Sequence, residues 1–234
     1  MQETKVKDDE FPENIFEEIG YGVFFFGQPS YNGVAIAYKK SSLEKPTQLI
    51  KNIPEYDDQQ SRLNAGLFKN KKSGRTIRVI CVYVPNGSEI GSEKFSYKLN
   101  WLDSLLKLID KEKQLFQNIC ILGDFNIAPS DLDVHDPEKW KGKILCSSEE
   151  RLIFQNLLNK DFFDSFRFLD NVTKSFSWWD YRQASFRRNI GLRIDHILLS
   201  NSLKTNCIDA GISTEPRRLE KPSDHAPCWV ELKL

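Results

Sequence analysis

Three apolar, β-type runs in this 234-residue chain end in carboxylate, carboxamide or imidazole side chains, and they lie far apart in sequence. They are Ile121-Leu122-Gly123-Asp124-Phe125-Asn126, Leu192-Arg193-Ile194-Asp195-His196-Ile197-Leu198, and Ser223-Asp224-His225-Ala226-Pro227. Strands that run out into polar groups put chemistry on the loops at sheet ends, so a fold of this sequence has to gather several strand exits. Taken singly, each motif is ordinary turn chemistry, since Asp and Asn readily bond their own backbone where a strand stops.

The pattern between these motifs is mixed. Residues 21–26 and 33–38 are apolar runs separated by the turn-rich segment 27–32, which predicts a β-hairpin with a longer loop. Residues 75–84 alternate and then become fully apolar, as a strand buried on both faces does. Phe95, Leu99, Leu102, Leu105, Leu106 and Ile109 recur at spacings of three and four, with Glu89 and Glu93 before them and lysines after, which predicts an amphipathic helix. Ser147 and Glu150 form a capping box opening a helix through Leu158. Segments 118–122, 175–179, 192–200, 207–212 and 226–232 read as further strands. No internal repeat or low-complexity linker divides the chain, so residues 1–234 are expected to form a single α/β domain: two packed sheets flanked by helices, with the site on loops at one end.

Composition narrows the function. A hydrophobic fraction of 40% with 12% aromatics supplies a core and excludes disorder. The formal net charge is zero, so contact with nucleic acid has to rest on a local basic face. The five cysteines are odd in number and show no C-x-x-C spacing, which predicts buried reduced thiols in a cytoplasmic protein. No signal pattern and no run of membrane-spanning length is visible, and the expectation is a soluble intracellular chain.

Asp124 and Asn126, two apart after a strand, point to one side if the backbone stays extended; a carboxylate and a carboxamide there can orient and deprotonate a water. The plainer alternative is an Asx-turn. Asp195 sits in an apolar run where an ionised carboxylate is costly unless paired, and His225 is its natural partner. Asp bonded to one ring nitrogen leaves the other for a phosphate oxygen; the alternative is a staple joining two strands. Asp224 either ligates a cation or caps a turn, and His135 and His196 read as surface or core residues without a role. Glu3, Asp124, Asn126, Asp195 and Asp224 are hard oxygen ligands, which suits Mg²⁺ (or Mn²⁺) rather than Zn²⁺. Between residues 175 and 193, Trp178, Trp179 and Tyr181 interleave with Arg182, Arg187, Arg188 and Arg193, a composition suited to a nucleic-acid face, and Arg217, Arg218 and Lys221 add charge beside Asp224. Lys69 to Lys72 with Arg75 reads as a hairpin tip.

Together with Gln2-Glu3-Thr4-Lys5 and Tyr83-Val84-Pro85-Asn86-Gly87, these motifs resemble the exonuclease III / apurinic endonuclease family of metal-dependent phosphoesterases, from Gln2 to the C-terminus. The resemblance implies a deoxyribonuclease-like four-layer α-β-β-α sandwich. It places Glu3 on the metal, where Asp124, Asn126 and Asp224 are the further metal candidates, Tyr83 and Asn86 on the scissile phosphate, and Asp124 and Asn126 on the attacking water. Asp195 would orient His225, Trp178 and Leu192 would line the pocket for a baseless sugar, and Arg188 belongs to the DNA face. The implied activities are Mg²⁺-dependent 3′-to-5′ degradation of double-stranded DNA, incision at abasic sites and removal of 3′-blocking phosphates in base excision repair, by a monomer. A small-molecule or lipid phosphoesterase of the same superfamily, and an inactive DNA-binding pseudo-nuclease, are the alternatives. The family carries a strand and a helix before the Gln-Glu-Thr-Lys run, where this sequence has only Met1, so a truncated fold lacking one Asn ligand is expected.

Overall fold

A computed structural model describes residues 1–233. The chain divides into two compact units, one of Met1–Val84 with Asp103–Asp124, the other of Pro85–Leu102 with Phe125–Lys233.

In the first unit, β1 (Tyr21–Phe26) and β2 (Val34–Lys39) form the expected antiparallel hairpin. A mixed sheet follows: β3 (Thr47–Lys51) and β4 (Leu63–Lys69) are antiparallel, β4 pairs antiparallel with β5 (Thr76–Tyr83), and β5 pairs parallel with β6 (Ile119–Asp124). A parallel pair needs a crossover, here the helix α2 (Glu93–Leu115). The parallel register sets Tyr83 opposite Asp124, so both strands end at the same edge. That is where open α/β sheets present their ligands. Gly123 permits this close pairing: at φ +140° a Cβ would stand 2.0 Å from the Val82 carbonyl oxygen. The Lys69–Arg75 segment is the β4–β5 turn, closed by Asn70 N–H on Arg75 O at 2.9 Å. A short helix α1 (Glu13–Glu18) precedes β1.

The second unit holds α3 (Pro137–Trp140), α4 (Ser148–Leu158), β7 (Phe162–Asp164), α5 (Ser165–Leu169), β8 (Asp195–Ser200), β9 (Cys207–Ile212) and β10 (Cys228–Leu232). The pairs β7–β8 and β9–β10 are both antiparallel. The Ser147–Glu150 capping box is present at the start of α4, as the sequence implied. Segment 175–179 is not a strand. It makes only isolated bridges, Trp178 pairing with Leu192 and with His225, because its rings pack inward from a loop. None of the five cysteines is in a disulfide; four are buried and Cys228 is half-buried. Among the described residues no helix is long and apolar enough to cross a membrane.

Candidate active site

The candidate residues fall into one group in each unit. In the first, Glu3 follows the bridge that Gln2 makes with Val34, and its backbone takes a left-handed φ of 56°. Its Oε1 accepts the Tyr83 hydroxyl proton at 2.5 Å, and its Oε2 lies 2.7 Å from the Lys5 ammonium. Burial pushes the Tyr83 phenol well above its usual range, and the hydrogen bond and charge of Glu3 and the charge of Asp124 push it the same way. Tyr83 is therefore a neutral donor at any working pH, suited to a phosphate oxygen and unsuited to acting as a base. Asp124 ends β6 as a buried carboxylate.

In the second unit the geometry is tighter. His225 Nδ1 lies 2.9 Å from Asp195 Oδ2, and the same oxygen accepts the Ser177 hydroxyl proton at 2.7 Å. A carboxylate only accepts, so His225 carries a proton on Nδ1, and Nε2 is the ring nitrogen that Asp195 does not engage. Ser177 is fully buried, and its oxygen accepts the backbone N–H groups of Ile194 and Asp195, each at 3.0 Å. Its one proton thus has one destination, Asp195. Its carbonyl also accepts the N–H of Ala226, next to His225, at 2.7 Å. Ser177 therefore fixes both members of the pair, and sequence reading missed it; its position directly before Trp178 was the only signal.

Asn126, at φ 50°, accepts the Asn86 side-chain N–H on Oδ1 at 3.0 Å. Asn86 itself is exposed, and its own Oδ1 takes the Ser88 N–H at 3.2 Å. Asp224 accepts the indole N–H of Trp178 at 2.9 Å and so orients that ring. Arg188 is exposed, available to a backbone phosphate.

Several sequence expectations are corrected by burial. Leu192 has no exposed surface; it packs with Val134, Leu145 and Ile194 behind Trp178 rather than facing a substrate. Arg193 is 1% exposed and paired with Asp133 and Asp164, so it is no part of a basic face. Arg217 is also buried, its guanidinium 5.0 Å from the Phe186 ring and 5.6 Å from Tyr181. It donates to the Ser223 carbonyl and so holds the loop bearing Asp224 and His225. His196, expected to be a surface or core residue, is a core one, donating from Nε2 to the Ile127 carbonyl at 2.8 Å while Nδ1 accepts from Arg193.

For a metal ion, the donors present are hard oxygens, as a Mg²⁺-type cation requires. Among the described residues no group of three or more His, Cys, Asp or Glu forms a cage by itself. Glu3 nevertheless fits a cation ligand: it is exposed and already holds the Lys5 ammonium on one oxygen.

The model of the Endonuclease/Exonuclease/phosphatase family matches residues 1–225. The chain is 39% identical to the exodeoxyribonuclease III of Haemophilus influenzae, over 100% of this chain and 88% of that protein. It is 34% identical to an exodeoxyribonuclease of Bacillus subtilis, over 99% and 85%. Among solved structures it is similar to the 3′ phosphatase NExo from Neisseria bound to product DNA hairpin, with a TM-score of 0.93 at 40% identity, covering 100% of this chain and 87% of that one. The α/β class expected from sequence is the one these relatives share. With a model match along almost its whole length and relatives of this identity, the chain belongs to the endonuclease/exonuclease/phosphatase family.

Proposed function

We propose that this chain is a divalent-metal-dependent DNA repair nuclease that degrades duplex DNA from 3′ ends and incises abasic sites. The observation that carries the reading is the Ser177–Asp195–His225 relay, in which the Ser177 hydroxyl holds Asp195 and Asp195 holds one nitrogen of the imidazole. The names of the relatives point the same way: exodeoxyribonucleases at 39% and 34% identity, and a 3′ phosphatase structure at 40%.

In its doubly protonated form His225 keeps Nδ1–H on Asp195 and donates Nε2–H to a non-bridging phosphate oxygen, a bond that strengthens as charge builds there in the transition state. Tyr83 donates its neutral O–H to the phosphate, and Asn86 and Asn126 fix the phosphate by carboxamide contacts. Asp124 accepts the proton of the attacking water. Trp178, its ring set by Asp224, meets the sugar, and Arg188 meets the backbone. Glu3 and Asp124 of the first unit would hold the cation; Mg²⁺ or Mn²⁺ would supply charge compensation on the phosphate. Five cysteines held as thiols support a cytoplasmic setting, and we take the working form to be a monomer.

The test is nicking of an abasic-site duplex and shortening of a recessed 3′ end, with Mg²⁺, Mn²⁺ or excess chelator. Both activities are expected with either metal and neither in chelator. Full activity in chelator would refute the assignment of Glu3 and Asp124 to a cation.

A further inference from the structure

The lysine on the buried stripe of α2 is not used by the chemistry described so far. Lys98 is 0% exposed, and so is the carboxylate of Glu150 with which it pairs. A buried ammonium is costly unless oxygens replace its water, and it persists only where the surrounding structure is organised to pay that cost. The oxygens here are specific. Lys98 Nζ donates to the Asn126 carbonyl at 2.6 Å, to the Asn86 carbonyl at 3.2 Å, and to Glu150 Oε1. The two carbonyls belong to the two carboxamide residues whose side chains bond each other.

We propose that Lys98 is a positioning residue for phosphodiester hydrolysis, its buried ammonium joining the backbones of Asn86 and Asn126 so that their carboxamides meet the phosphate at a fixed spacing. The inference rests on the functional reading above.

Glu150 makes the anchor rigid. Its Oε1 also accepts the Leu145 N–H at 3.1 Å, and its Oε2 takes the Ser147 N–H at 3.0 Å and hydroxyl at 2.6 Å. The ammonium is therefore tied to the start of α4, not to a mobile side chain. Asn126 stands at φ 50°, a region asparagine enters more readily than most side chains, and the bond from Lys98 fixes its carbonyl there. The neighbours are tied as well: Phe125 N–H bonds the Ile194 carbonyl at 2.9 Å, and Ala128 N–H the Leu145 carbonyl at 2.7 Å. Asn86 is held on its other side by Gly87, which at φ +90° packs against the lysine stem; a Cβ there would meet Lys98 Cδ at 3.0 Å.

The experiment compares Lys98→Met, Lys98→Met/Glu150→Gln and Glu150→Gln with the parent by steady-state cleavage of an abasic-site duplex, chemical denaturation, and NMR of the side-chain amides in protein labelled with [15N]asparagine. Lys98→Met strands a buried carboxylate and loses stability; the double variant removes both charges and regains much of it. A positioning role predicts that kcat stays down on the order of 10²-fold in both, with KM little changed, because a misplacement of about 1 Å costs that much. Glu150→Gln keeps the ammonium on the two carbonyls but removes its anchor and sets an amide NH2 against a backbone N–H, so stability and kcat should both fall, the latter by less than in Lys98→Met. The Asn86 and Asn126 amide signals should shift or double wherever Lys98 is absent. Parent-like kcat in the folded double variant, or unmoved amide signals in it, would overturn the proposal. Should the parent protein fail to cleave DNA, the functional reading falls, while the amide signals still decide whether Lys98 sets the two asparagines.

Discussion

Replacing His225 by Ala, or Asp195 by Asn, is expected to lower kcat for abasic-site cleavage by about 10²–10³-fold while KM changes little. The imidazole contributes most where charge accumulates on the phosphate, so its loss is felt in the transition state more than in the bound substrate. Asp195 touches no substrate. It acts through the 2.9 Å bond to His225 Nδ1, which fixes the ring orientation. The double variant should therefore be scarcely worse than either single one, a strong departure from additivity. Fully additive losses would mean that Asp195 and His225 contribute independently, and the relay would be wrong. Ser177→Ala belongs to the same coupled set, but it also strips the acceptor from two backbone N–H groups. Its stability has to be measured beside its kinetics, since each orphaned buried donor costs about 1–3 kcal/mol.

Where the sequence pattern was pure, the fold was legible. The runs 21–26 and 207–212 became β1 and β9 with the same limits, and the Ser147–Glu150 signature opened α4. Strands that carry polar residues for tertiary reasons were not readable. In β4, Asn64 is buried because its amide donates to the Phe24 and Val34 carbonyls at 3.0 and 3.3 Å, two groups far off in the chain. Strand β3 is short and mostly exposed, so burial left no alternation to detect. The aromatic run 175–179 reads as a strand by propensity but is fixed by packing and two isolated bridges.

The site was legible in its residues and not in its supports. Asp195 and His225 could be paired from sequence because each stands out against an apolar or turn context. Lys98, Ser177 and Arg193 could not, because their partners lie elsewhere in the chain: Glu150 is 52 residues from Lys98, and Asp133 is 60 from Arg193. One signal was present. Phe95, Leu102, Leu105 and Ile109 make a buried stripe, and Lys98 lies on it at helical spacing whereas Leu99 is only half-buried. A cation on an apolar stripe implies a buried anion somewhere, and the sequence does not say which.

Arg193→Met is expected to destabilise the protein by about 3–5 kcal/mol, since removing one partner of a buried ion network leaves the others charged and unpaired. The guanidinium reaches Asp133 Oδ1 through Nε at 2.7 Å and Asp164 Oδ2 through Nη1 at 2.7 Å, and all three groups are buried. Asp133 is shared with Arg167, whose Nη2 lies 2.5 Å from the same oxygen, but Asp164 has no second arginine among its described ion pairs. Against a typical total of about 5–15 kcal/mol the loss is a large part of the margin. The network also dictates the acid response. Burial alone would raise the pKa of Asp133 and of Asp164; Arg193 outweighs it at both, helped by Arg167 at Asp133 and by His196 at Asp164, and holds the two below the ordinary carboxylate range. A carboxylate depressed in the folded state contributes stability above its unfolded pKa of about 3.9, and loses it as pH falls through the folded value. The parent should therefore lose stability as pH drops below about 4. In Arg193→Met both carboxylates lose their main counter-charge, so its stability should be lower at pH 7 and fall less on acidification. Denaturant midpoints at pH 7 and at successively lower pH measure both effects. A variant that matches the parent at neutral pH would show that water or Arg167 compensates both carboxylates, and the network would then be dispensable for folding.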